Sequence, residues 1–267
     1  MCKLSAKGLA TGLFLAFLGV HPPSFASDVG PWTQGANSQA RLLAAGPPLA
    51  GIYLVGLEID LKAGAHTYWR NPGDAGVPPS LSTAGSRNVK SAHLRFPAPE
   101  RLQEGALSVN GYRNSLILPL EIVPQDVTAP VHLAIHFSYA ACEKICIPAE
   151  LSGTLDLSPQ APPSTQAPRL AQALSRLPQQ ASAESLGLNV TPPQSPERLV
   201  WQVALKTGTR DVFAEGPEGW FFETKAKGDQ FELTAAEAPK NWSGPVPVRL
   251  TLTGPRDVEI TLDLPRP

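Results

Sequence analysis

The sequence predicts an all-β chain: two β-sandwiches joined by a Pro-rich stretch that carries one short helix. Three observations carry this expectation. Apolar residues alternate with period two through most of the chain, the pattern of half-buried strands. Proline is abundant, at 29 of 267 residues, as many short strands with Pro and Gly turns require. Helical spacing is found only after residue 160.

The first element is not part of the fold. Lys3 and Lys7 lead into an apolar run from Leu9 to Val20, His21-Pro22-Pro23 breaks it, and the small-x-small triplet Ser24-Phe25-Ala26 follows. That is the layout of a secretory signal peptide over residues 1–26, with cleavage after Ala26. The apolar run is shorter than the roughly 20 residues a spanning helix needs. No later segment is long and apolar enough to span, so the expectation is an exported, soluble protein without a membrane span. Cys2 leaves with the signal, and two of the three cysteines remain, an even number suited to an oxidising compartment. Loss of Lys3 and Lys7 takes the formal net charge from −1 to −3. With no basic block anywhere, nucleic acid is excluded as a partner.

The first unit spans residues 30–159. In Ala50–Gly64, Tyr53, Val55, Leu57, Ile59 and Leu61 share one face of a strand. "SLILPLEIV", Ser115–Val123, is a further strand whose Pro119 predicts an edge or a bulge. In "VHLAIHFSYAAC", Val131, Leu133, Ile135, Phe137 and Tyr139 alternate with His132, Ala134, His136 and Ser138. "GTLDLS" leads out as a fourth strand. Together these read as a sandwich. Residues 160–197 are a Pro-rich linker in which Leu170, Ala173, Leu174 and Leu177 sit at helical spacing. Strand patterns resume over residues 198–267, with turns at Lys227-Gly228-Asp229 and Gly254-Pro255, as a second, smaller sandwich. Its Trp201, Trp220, Phe221 and Phe222 read as core.

Chemistry concentrates in "YAACEKICIPAE", Tyr139–Glu150, which holds Cys142 and Cys146. In an extended strand, residues four apart lie about 13 Å from each other, whereas a disulfide needs Cα atoms within about 7 Å. A bridge here therefore requires a sharp bend. Its small loop stabilises by only roughly 2 kcal/mol through chain entropy, so it is a weak staple, and strained or exposed bridges are the labile ones. Lys144 favours a thiolate nearby and Glu143 opposes it. Three readings stay open: a redox couple, a structural bridge, and a metal site. The metal reading would add His132 and His136 to the two cysteines, since Cys with His suits zinc or copper(I). The plainer account of both histidines is the polar face of a half-buried strand. No serine-nucleophile elbow, zinc-protease motif or phosphate-binding glycine loop occurs, and no cofactor is implied.

The order of motifs "HTYWRNPGDAGVPPSL", "FPAPERL", "GYRNSLILPLEI" and "FSYAACEKICIPAE" resembles the N-terminal periplasmic domain of the thiol–disulfide interchange protein DsbD, and most of all the variant heading the ScsB reductases of copper tolerance. The likeness covers roughly Ala50–Pro159. It implies an immunoglobulin-like sandwich in a Gram-negative periplasm, with two cysteines cycling between dithiol and disulfide. It further implies that Cys142 and Cys146 are the redox pair, Cys146 forming the mixed disulfide and Cys142 resolving it. The implied partners are thioredoxin-fold periplasmic proteins, among them disulfide isomerases and proteins of cytochrome c biogenesis. Any enzymatic activity would be of the protein-disulfide reductase type. In that family a short cap shields the cysteines. Its counterpart falls near Gln103–Val109, with Glu104 at an acidic position but Gly105 where the family has an aromatic shield. Tyr68 or Trp69 is the aromatic expected to cover the pair instead. The family's membrane helices and thioredoxin-like domain have no counterpart before Pro267, so a separate membrane electron-transfer protein is an expected partner. The competing reading is a non-catalytic β-sandwich adaptor, or a copper- or zinc-binding module, with a structural cysteine pair.

Overall fold

The computed structural model describes residues 28–205 and 208–267. The expected signal peptide, residues 1–26, lies outside the described residues. The first unit runs through β1 (Thr33–Gln34), β2 (Ser38–Ala44), β3 (Tyr53–Leu61), β4 (His66–Gly73), β5 (Ser80–Ser82) and β6 (Val89–Leu94). It continues through β7 (Glu100–Glu104), β8 (Leu107–Arg113), β9 (Leu116–Pro124), β10 (Val131–Cys142) and β11 (Cys146–Leu157). One sheet has the order β1-β2-β3-β9-β6; the other has β11-β10-β4-β8-β7, with β5 also pairing β10. The architecture is all-β, an immunoglobulin-like sandwich. Tyr53, Val55, Leu57 and Ile59 of β3 share one buried cluster with Val131, Leu133, Ile135 and Phe137 of β10. Each full burial of such a side chain is worth about 1.5–3 kcal/mol. A one-residue slip would turn the whole set outward, so the alternation fixes the register.

Pro119 does not mark an edge: β9 lies between β3 and β6. Proline is tolerated because its missing N–H falls where the neighbouring strand stops. Pro119 pairs with Gly56 on β3, and its carbonyl accepts from the Arg95 N–H just past the end of β6.

The helix expected in the Pro-rich stretch is α1 (Ala167–Ser175), with Leu170 and Ala173 buried. It packs on the first sandwich. A Cβ on Gly56 would come within 2.5 Å of Leu170 Cδ2, so only glycine leaves room for that side chain. Arg169 pairs with Glu58, which also accepts from Arg41 at 2.6 Å.

The second unit comprises β12 (Gln179–Gln180), α2 (Ala183–Leu186), β13 (Asn189–Thr191), β14 (Val200–Ala204) and β15 (Asp211–Glu215). It ends with β16 (Phe221–Lys227), β17 (Gln230–Glu237), β18 (Val246–Thr253) and β19 (Val258–Leu264). Its sheets are β12-β19-β18-β15 and β13-β14-β17-β16, closing on a core that includes Trp201, Phe222, Phe231 and Leu250. Strands β12 and β13 fall in the stretch read as linker from its prolines. Trp220 is partly exposed and stacks on Phe222 at 5.5 Å.

Phe213 of β15 belongs in sequence to the second unit but joins the first core, edge-on to Trp69 at 5.8 Å. Around it, Arg70 makes a two-pronged pair with Glu215 (2.9 and 2.7 Å) and reaches Glu259 at 2.6 Å. Arg101 does the same with Asp211 (2.9 and 2.8 Å) and also donates to Thr224. Two-pronged guanidinium–carboxylate pairs fix orientation as well as distance. Strands β4 and β7 of the first unit are therefore clamped to β15 of the second.

Candidate functional site

The site is built on the tip of the β10–β11 hairpin. The loop Glu143-Lys144-Ile145 turns the chain, and Cys142 stands directly opposite Cys146 with Cα atoms 4.0 Å apart, joined as a disulfide. The sharp bend demanded by the spacing is this three-residue loop. Expectation and structure differ on Cys146. It lies past the bend, in a stretch whose Pro148 predicts incomplete pairing outside the sheet ladder, yet it opens β11 and Pro148 pairs with Ala140. The ladder survives because β11 is the edge strand, where a missing N–H faces outward. Exposure separates the two sulfurs all the same. Cys142 is 2 % exposed, packed with Tyr68, Leu102, Val109 and Ala140, while Cys146 is exposed beside the exposed Ile145.

Strand β4 brings the next groups. It pairs with the end of β10 through Thr67↔Ala141 and His66↔Cys142, and Thr67 Oγ1 donates to the Ala140 carbonyl at 2.7 Å. Residues alternate across a strand, so His66 and Tyr68 share one face and Trp69 takes the other. Tyr68 covers the pair: its hydroxyl oxygen lies 3.0 Å from Cys146 Sγ and 3.1 Å from Cys142 Sγ. Trp69 does not. Its side chain is fully buried in the sandwich core against Phe213, on the face away from the sulfurs. Behind Tyr68, the loop after β4 comes so close that a Cβ on Gly76 would meet the ring at 2.5 Å.

The β7–β8 hairpin supplies the carboxylate. Its turn contains Gly105 at φ 61°, a left-handed conformation suited to glycine, with no atoms near where a side chain would begin. Gly105 shields nothing. Glu104, at the end of β7, accepts from the Tyr68 hydroxyl at 2.8 Å and forms a close hydrogen bond with His66 Nε2. Burial, reinforced by the Glu104 carboxylate, pushes the Tyr68 phenol well above its ordinary pKa, so it stays a proton donor across the physiological range. A cleft of about 270 Å³ opens over this group, lined among others by His66, Glu104, Arg113, Lys144 and Cys146.

His132 and His136 do not reach the site. They lie six or more residues before Cys142 on β10, about 20 Å or more along the strand. They hydrogen-bond to Asp156 and Ser152 across the hairpin, as polar-face residues do. His66 was missed by sequence reasoning. The available signal was the alternation in "HTYW", which places it on the same face as Tyr68.

Residues 51–156 match the family described as thiol:disulfide interchange protein DsbD, N-terminal. The chain carries a DsbD N-terminal domain. The match supports a thiol–disulfide interchange role at the level of this family, and the Cys142–Cys146 pair lies within the matched residues. The crystal structure of the N-terminal periplasmic domain of ScsB from Proteus mirabilis has the same fold. It superposes with a TM-score of 0.68 at 19% identity, covering 90% of this chain and 99% of that one. The likeness extends beyond the DsbD-type domain into the second unit. No curated protein matches the chain significantly. No helix among the described residues is long and apolar enough to cross a membrane.

Proposed function

We propose that the protein is a periplasmic dithiol–disulfide carrier that passes electrons through Cys142 and Cys146 to or from thioredoxin-fold partners. The observation that carries this reading is the asymmetry of the bridge: Cys146 exposed at a hairpin tip, Cys142 buried under Tyr68. Thiol–disulfide exchange depends on which sulfur an incoming thiolate can reach. A partner thiolate attacks Cys146 Sγ, forming the mixed disulfide and releasing Cys142 as a thiolate. The partner's second thiol then attacks its own bridged sulfur and frees Cys146. Two electrons and two protons have moved onto this protein, and the reverse sequence delivers them to an oxidised substrate. Tyr68 is placed to donate its hydrogen bond to the departing Cys142 thiolate, and Glu104 and His66 position Tyr68.

Trapping tests the assignment of roles. Cys142→Ala leaves Cys146 to hold a thioredoxin-fold partner in a stable mixed disulfide, detected on non-reducing gels, whereas Cys146→Ala traps little. Equal trapping by both variants refutes the roles, and trapping by neither refutes the carrier function.

A further inference from the structure

We infer that, once its disulfide is reduced, the site is a zinc-class metal centre made of Cys142, Cys146, His66 and Glu104. The ligand atoms of His66, Glu104 and Cys142 already lie within 4.8 Å of one another. Cys146 is the fourth by construction, since the hairpin register holds its Cα 4.0 Å from that of Cys142. Two thiolates, an imidazole and a carboxylate are a donor set that Zn²⁺ accepts in tetrahedral geometry. With metal–ligand distances of about 2.0–2.3 Å, tetrahedral ligand atoms stand roughly 3.3–3.8 Å apart. A contraction of about 1 Å therefore suffices, within the reach of side-chain rotation. Three further features favour the site. His66 and Cys142 are buried, so little rotamer freedom remains to be lost there. The cleft over them gives an ion a way in. His66 and Glu104 are drawn together across 38 residues of sequence, on strands joined only through β8.

The inference rests on the pair being reducible, as the proposed function holds, but not on any exchange partner. Reduction by a water-soluble phosphine consumes one water and yields the phosphine oxide and two thiols. Zinc binding then displaces the two thiol protons. The oxidised pair offers no thiolate and loses the centre. Redox state and metal occupancy are thus linked: bound zinc holds the pair reduced and withholds Cys146 from exchange.

The test titrates Zn²⁺ alone, against a chromophoric chelator, into the exported chain after phosphine reduction and removal of the reductant. The reduced protein is expected to take up one Zn²⁺ and the oxidised protein none. His66→Ala should weaken binding at least tenfold, with His66→Gln as a second variant of similar bulk should the first fail to fold. The His132→Ala/His136→Ala double variant should bind like the wild type. Bound zinc should also slow alkylation of Cys146. No uptake by the reduced protein, equal uptake by the oxidised protein, or unchanged affinity in both His66 variants overturns the inference. Partner trapping that succeeds where zinc uptake fails removes the metal centre and leaves the carrier function standing.

Discussion

Replacing Tyr68 with Phe removes one oxygen and little else. That oxygen is 3.0 and 3.1 Å from the two sulfurs and donates its proton to Glu104 at 2.8 Å. A hydrogen bond to a charged group contributes about 1.5–3 kcal/mol. The full value does not reach the reaction, because the hydroxyl has only one proton. To stabilise the Cys142 thiolate it must leave Glu104, which falls back on its bond to His66. The lower end of the range, about 1.5 kcal/mol, is therefore the expected gain, or roughly a tenfold loss of exchange rate in the variant. The ring remains wedged against Gly76 and in its apolar cluster with Leu102 and Val109, so thermal stability should hardly move.

The assay follows the second-order rate of reduction of the bridge by a small dithiol, at fixed pH and matched thiolate concentration. Glu104→Gln supplies the control of opposite sign. It removes a carboxylate that opposes thiolate formation beside it, so exchange should quicken. Wild-type rates in Tyr68→Phe, or a slowdown of equal size in Glu104→Gln, would refute the idea that the phenol serves the leaving sulfur and the carboxylate restrains it.

The remaining expectations concern stability. A Cys142→Ala/Cys146→Ala double variant should lose about 2 kcal/mol, the chain-entropy value for so small a loop, and remain folded by circular dichroism; unfolding at moderate temperature would make the bridge a structural staple. Phe213→Ala should cost about 3–5 kcal/mol and convert one thermal transition into two, because that ring joins the cores; a single unshifted transition in calorimetry would contradict this. For Glu259, burial raises the carboxyl pKa, but the Arg70 guanidinium overcomes it and the net value is lowered. A folded-state pKa below the unfolded one adds stability above the unfolded value, and that stability is lost as pH falls through the folded one. Acid unfolding should therefore be less steep in Glu259→Gln than in the wild type, the two converging at low pH, as denaturant melts across the acid range would show.

What the sequence revealed and what it concealed follow from how local each signal is. The strands of the first unit were legible because one face of each is buried, which writes a period of two directly into Tyr53–Leu61 and Val131–Tyr139. The cysteine hairpin was legible for the same reason of proximity: four residues and one distance constraint leave room for little besides a turn. Tyr68 and Trp69 were both offered as covers, because neighbours in a strand always point to opposite faces, and only the pairing of β4 with β10 says which face holds the sulfurs. His66 and Glu104 meet through the order β10-β4-β8-β7, a property of the sheet that no window of sequence contains. β15 shows the limit most clearly. Val212, Phe213 and Ala214 are all buried, so the strand loses the alternation that would have marked an outer face. That unbroken apolar run is itself informative: a strand buried on both sides needs a second layer. Here one side packs on its own unit, and Phe213 packs on the strand that carries His66 and Tyr68. Arg70 and Arg101, anchored by carboxylates of the second unit, sit on the two strands that present Tyr68 and Glu104. The second unit thus holds the two strands that carry Tyr68 and Glu104.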